Sequence, residues 1–192
     1  LIDLGLGRAI VYSNGKDFVF PIPFNEKKDC YDQRVFTGNI HYMYARKAYD
    51  FEYQYRNVAY NPYDGHSNDA IFPHSKANIE TRGESVFASR NAFDGVVASS
   101  SHGRWPFASW GINRDPNAEL YLEFGNAMII DRIIMYTRAD FPHDAWWDRC
   151  TVRFSDGSEL TLELEKKDGR QEFVFSPKIV SSLTICNLIK SD

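Results

Sequence analysis

"CTVRFSDGSELTLELE", residues 150–165, is the stretch on which the fold turns. Its second half alternates charged or polar with apolar residues without a break, so Leu160, Leu162 and Leu164 fall on one face of a strand. Ahead of it, "SDGS" carries Asp156 and Gly157, a pair that supplies the positive φ a tight hairpin needs. Two strands joined by such a turn make an antiparallel pair. Working outward, "ELYLEFG" (119–125) alternates and stops at glycine, and "MIIDRIIMY" (128–136) is an isoleucine-rich strand. On the other side "KKDGR" turns the chain again, and "QEFVF" and "IVSSLTICNLI" complete the series. Short strands with turn signals about every ten residues predict an all-β sandwich or barrel of antiparallel strands. No long amphipathic helix competes with this reading.

The first third is strand-like but less regular. "DFVFPIPF" (17–24) contains two prolines, which remove ladder donors and confine it to an edge or an extended arm. In "HYMYARKAYDFEYQY", Tyr42 and Tyr44 share one face and Phe51, Tyr53 and Tyr55 another, as sheet packing requires. "NPYDGHSND" (61–69) is a loop by composition, and His66 and His74 around it are expected to bond backbone groups. A boundary there divides the chain into an N-terminal β-rich extension, residues 1–65, that packs on a main domain, residues 66–192.

Composition limits the function classes. The 192 residues are 43% hydrophobic, enough for a sizeable core, and 15% aromatic, an excess that suits strands and stacking surfaces alike. A net charge of −4 with scattered basic residues argues against nucleic acid. No apolar run reaches membrane-span length. Cys30, Cys150 and Cys186 form no CxxC pair, so a thiolate zinc site is not expected. Reduced, buried thiols in a cytosolic protein are the favoured reading, with one disulfide plus a free thiol as the alternative. The opening "LIDLGLGRAIVY" lacks the basic start and long apolar centre of a signal peptide, but the chain begins without Met, so secretion stays open.

From Ala77 onward the order of features resembles a discoidin domain, also called the coagulation factor five/eight type C or galactose-binding-like domain. The residues that carry the likeness are "ANIETRGESVFASRNAFDG" (77–95), Ser109-Trp110, the "LYLEFG" strand and the isoleucine-rich strand after it. The likeness covers residues 72–189, and the branch it resembles most is the carbohydrate-binding modules attached to bacterial glycan-degrading enzymes. It implies an antiparallel jelly-roll β-sandwich that binds a sugar through loops at one end. It also implies a structural calcium near the "DG" turn, with Asp94 as the matching carboxylate and Trp110 inside the core. The family's closing strand with a calcium-holding Glu has no clear counterpart in "TICNLIKSD".

Two long connections hold the candidate ligand-binding residues. "TRADFPHDAWWDRC" (137–150) offers Arg138, Asp140, His143, Asp144, Trp146 and Trp147, and residues 99–117 add His102, Arg104 and Trp105. A pyranose presents an apolar C–H face suited to an indole plate and a rim of hydroxyls suited to planar, two-pronged groups such as Arg and Asp. Trp146 and Trp147 are neighbours on an extended chain and point opposite ways, so one is expected at the ligand and the other as an anchor. Arg138 paired with Asp140 or Asp144 as a loop brace is an equal alternative. Two other functional readings stand beside sugar binding. One is an assembly module whose tryptophans and tyrosine-rich arm form an interface, including a homo-oligomer through the N-terminal extension. The other is a glycoside-acting enzyme using His143 with Asp140 or Asp144. The absence of a nucleophile elbow, an HExxH motif or a phosphate-cradling loop ranks the enzyme last.

Overall fold

The computed structural model describes residues 2–3, 5–15, 17–139 and 146–191. Its strands are β1 (Ile2–Asp3), β2 (Tyr12–Ser13), β3 (Tyr44–Ala45), β4 (Ile71–Phe72), β5 (His74–Ala77), β6 (Leu120–Met135), β7 (Trp147–Phe154), β8 (Glu159–Glu163) and β9 (Gln171–Lys190). All pairings among them are antiparallel. The main sheet has the order β5-β6-β9-β7-β8, and β1-β3 and β2-β4 are two-residue pairs.

The β7–β8 hairpin forms as its turn residues dictate. Gly157 adopts φ 83°, and both the backbone N–H and the hydroxyl of Ser158 donate to Asp156 Oδ1. Cys150, Val152 and Phe154 from β7 face inward beside Leu162 and Leu164, with Leu160 half-buried at the margin. β6 adds Leu122 and Phe124, and β9 adds Val180, Leu183 and Leu188.

The strands expected at 119–125 and 128–136 are one strand. Gly125, at φ 72°, lies inside a register shift between Glu123 and Met128, so the ladder continues through an irregularity instead of ending. β9 likewise merges "QEFVF" and "IVSSLTICNLI".

Residues before 66 are not β-rich. Among the described residues there, the regular elements are the two-residue strands β1, β2 and β3 and short 3-10 turns. Pro21 and Pro23 leave residues 17–24 extended without a ladder, and Phe18 and Phe20 instead set their rings edge-on to Tyr63. Side chains, not backbone ladders, tie this segment down. Tyr31 and Cys30 pack with Val86, Phe87 and Ala108, and Leu6 and Phe20 reach both satellite clusters. The tyrosine-rich stretch also departs from the expected sheet packing: Tyr42 is 84% and Tyr55 73% exposed. With a two-residue ladder at Tyr44–Ala45, no sheet face exists there to bury alternate side chains.

Cys30, Cys150 and Cys186 are buried and unbridged. Burial pushes the Cys150 thiol up to about 12. Among the described residues no helix is long and apolar enough to cross a membrane.

Candidate functional site

The long connection after β6 and the turn after β8 meet at one end of the main sheet. Thr137 Oγ1 donates to the Lys167 carbonyl (3.3 Å), and Gln171 Nε2 donates to Thr137 Oγ1 (3.2 Å). Ser99 Oγ donates to the Asp168 carbonyl (3.2 Å), bringing the start of the second long loop to the same end. Ser191 N–H donates to the Trp146 carbonyl (2.9 Å), so the last turn of chain pins the tryptophan pair from behind.

The two indoles divide as alternation requires. Trp147 opens β7, lies against the main core and meets Trp110 edge-on at 6.1 Å. Trp110 is fixed in turn by its Nε1–H, which donates to the Ile79 carbonyl (2.9 Å). Trp147 is therefore the anchor. Trp146 is half-buried at the surface, with the Lys166 ammonium 4.7 Å from its ring centroid. Arg138 is half-buried beside fully covered Ala139. Asp140, His143 and Asp144 lie outside the described residues.

The second loop does not bring all of its expected residues here. Arg104 pairs with Asp29 (3.2 Å), although its own side chain is 76% exposed. The Trp105 N–H donates to the Asp29 carbonyl (2.8 Å), which leaves its indole half-buried. Arg104 and Trp105 thus fasten the loop to the N-terminal segment, because an exposed guanidinium takes the nearest carboxylate. His102 is exposed.

Two shallow concavities stand out among the described residues, and neither is lined by the tryptophan pair. One, of about 270 Å³, lies over Arg149, Thr151, Thr161, Asn187 and Ile189 on the outer face of β7, β8 and β9. Thr151 and Thr161 are cross-strand partners in it, and Asn187 has φ 50°. The other, of about 220 Å³, lies in the N-terminal segment between Phe36 and Tyr42.

The residues at the "DG" turn do not fit a calcium ion. Asp94 Oδ1 accepts the Val96 N–H (2.8 Å), and Oδ2 lies 3.9 Å from the Arg90 guanidinium. A hard cation needs six or more oxygens. Among the described residues no group of three His, Cys, Asp or Glu side chains is placed to share one. Burial raises the Asp94 carboxyl to about 6, with Arg90 opposing the shift. Gly95, at φ 85°, completes the turn, and a Cβ there would run into the Tyr60 ring.

Sequence reasoning missed the most connected polar site in the molecule. Asp64, fully buried, accepts from His74 Nδ1 (2.6 Å) and from both the N–H and the hydroxyl of Ser75 (2.8 and 2.5 Å). His74 therefore bonds a carboxylate and not the expected backbone. His66 also departs from that expectation and pairs with Glu80 (2.8 Å), whose hydrogen bond raises the imidazole above its usual range. The available signal was the run of Asn and Asp at 61–69, a composition that reads as loop and gives no hint of burial.

Comparison with known proteins bears on the fold. The lectin domain of lectinolysin complexed with Lewis B antigen is similar to this chain at 14% identity and a TM-score of 0.50, over 70% of this chain and 87% of that one. A Streptococcus pneumoniae fucose-binding module, SpX-3, gives 11% identity and a TM-score of 0.47 over 70% and 90%. The family 32 carbohydrate-binding module of C. perfringens NanJ, in complex with galactose, gives 17% and 0.43 over 60% and 82%. No family model and no curated protein matches the chain. With the antiparallel sheet order already described, the likeness to the lectin domain shows that this chain shares that domain's all-β, antiparallel sandwich fold.

Proposed function

We propose that the protein is a non-catalytic carbohydrate-binding module whose ligand sits at the end of the sandwich formed by residues 136–139, 146–147 and 164–170. The observation that carries this reading is the division of labour between the tryptophans. Trp147 is locked against Trp110 and the core, and this holds Trp146 at the surface beside Lys166. A rigid aromatic plate with a cation beside it meets the demand of a pyranose, an apolar face rimmed with hydroxyls. Asp140, His143 and Asp144 would supply the acceptors. The similar lectin domain, itself bound to Lewis B antigen, uses this fold to hold a glycan, which supports the reading.

The test is a glycan array followed by calorimetry on the best ligand. Trp146→Ala is expected to weaken binding at least about tenfold with the melting temperature nearly unchanged, as loss of a stacking contact requires. Trp147→Ala is expected to lower the melting temperature first. Binding that survives Trp146→Ala but fails in Arg149→Ala would move the ligand to the outer sheet face.

A second reading rests on a separate observation. Ile40, Tyr42, Phe51 and Tyr55 are all exposed in the N-terminal segment, which is more apolar surface than a solvated loop needs. An assembly module would use that arm to meet another protein or a second copy. No glycan binding, with Tyr42→Ser and Phe51→Ser changing the oligomeric state, would favour it.

A further inference from the structure

Arg90 is a buried cation in the turn that precedes Asp94, and every part of its guanidinium is engaged. Its side chain is 7% exposed. Nε donates to the Asp64 carbonyl (3.0 Å), Nη2 to the Pro62 carbonyl (2.9 Å) and Nη1 to Asn91 Oδ1 (2.9 Å). Nη1 also reaches Cys30 Sγ (3.6 Å), Asp94 Oδ2 lies at 3.9 Å, and the plane covers the Tyr31 ring at 4.4 Å. Main-chain carbonyls, an amide oxygen and a carboxylate are the kinds of oxygen that a calcium ion gathers.

We infer that Arg90 is the resident cation of this turn, a protein-borne charge that does the structural work of a metal and makes the fold independent of divalent ions. The physical case has two parts. A buried charge is tolerated only when it has a counter-charge and hydrogen-bond acceptors, and here each guanidinium nitrogen has an acceptor and Asp94 lies 3.9 Å away. A guanidinium fork also matches acceptors spread in one plane, which an ammonium cannot.

The second consequence concerns the N-terminal segment. Cys30, Tyr31, Pro62 and Asp64 all precede residue 66, whereas Asn91 and Asp94 belong to the turn itself. Most of the cage thus comes from the segment that the sequence sets apart as an extension. Asp64 carries the connection onward through Ser75 to β5 and so to the main sheet. The segment is structural machinery for the sandwich, standing where an ion would otherwise join the loops.

Thermal unfolding of the full chain tests the inference. The midpoint is expected to agree within about 1 °C in millimolar calcium chloride and in excess EDTA, because an ion that does not bind the native state cannot stabilise it. A calcium-dependent rise of about 5 °C or more would overturn the inference. Arg90→Lys, which keeps the charge but loses the fork, should lower the midpoint by roughly 10 °C, and an unchanged midpoint would also overturn it. The wild-type comparison decides the matter even where the variant does not fold.

Discussion

The strands β6, β7, β8 and β9 and residues 61–94 both supply buried side chains, but they satisfy their polar groups in opposite ways. The first region pairs backbone with backbone along β6, β9, β7 and β8, and its interior is Leu, Val, Phe and Ile. The second has two short ladders, β4 on β2 and β5 on β6, and buries Asn61, Asp64, Asn68, His74, Ser75, Ser89, Arg90, Asn91 and Asp94. Side chains there do what a ladder does elsewhere. Asn61 donates to the Pro73 carbonyl and accepts the Tyr63 N–H, and Asn91 donates to the Ser85 carbonyl. An apolar core tolerates small errors of volume, whereas a polar network is costly to leave half-made. The lesson is that this sandwich has two cores of different chemistry, and the polar one sets the loops.

The largest expected effect lies in the polar core. Arg90→Met should cost about 3–5 kcal/mol, since it strands Asp94 and two carbonyls, and urea melts would measure it. Leu122→Ala in the apolar core should cost about 2–5 kcal/mol with an unchanged slope, which would show that the two cores unfold together. Separate transitions would break the comparison.

A pH series sharpens it. Asp94 is raised to about 6 in the folded chain by burial, above the ordinary aspartate value of 3.8. The folded state therefore binds more protons than the unfolded state between these values, so this group's contribution favours folding below about pH 4 and is lost as pH rises through about 6. Carboxyl chemical shifts should show one Asp titrating near 6, and the signal should vanish in Asp94→Asn. The smallest effect is expected at Arg104, whose exposed pair with Asp29 should contribute less than about 1 kcal/mol on Arg104→Ala. A larger loss would mean that the second loop belongs to the polar core after all.

The meander was legible because its signal is local. Alternation in "ELTLELE" and the Asp-Gly turn needed no distant partner, and β8 and its hairpin lie where they predict. What escaped was long-range. Arg90 meets Pro62 across 28 residues and Asp64 across 26, and no periodicity marks such bonds. Gly125 and Asn126 read as a strand end because a register shift and a stop share the same residue types. Arg104 likewise finds Asp29 far back along the chain, a pairing that no local pattern marks.

Native-state hydrogen exchange tests most directly whether the two cores are one cooperative unit. The amides of Asn61, Tyr63 and Ser89 donate to Phe93 O, Asn61 Oδ1 and Glu80 Oε1, all outside any ladder. They should open with the same free energy as the amides of Leu122 and Val152, because the Arg90 cage joins them to the sheet. Exchange a hundredfold or more faster at Asn61, Tyr63 and Ser89 than in the strands, on the order of 3 kcal/mol less protection, would contradict the account.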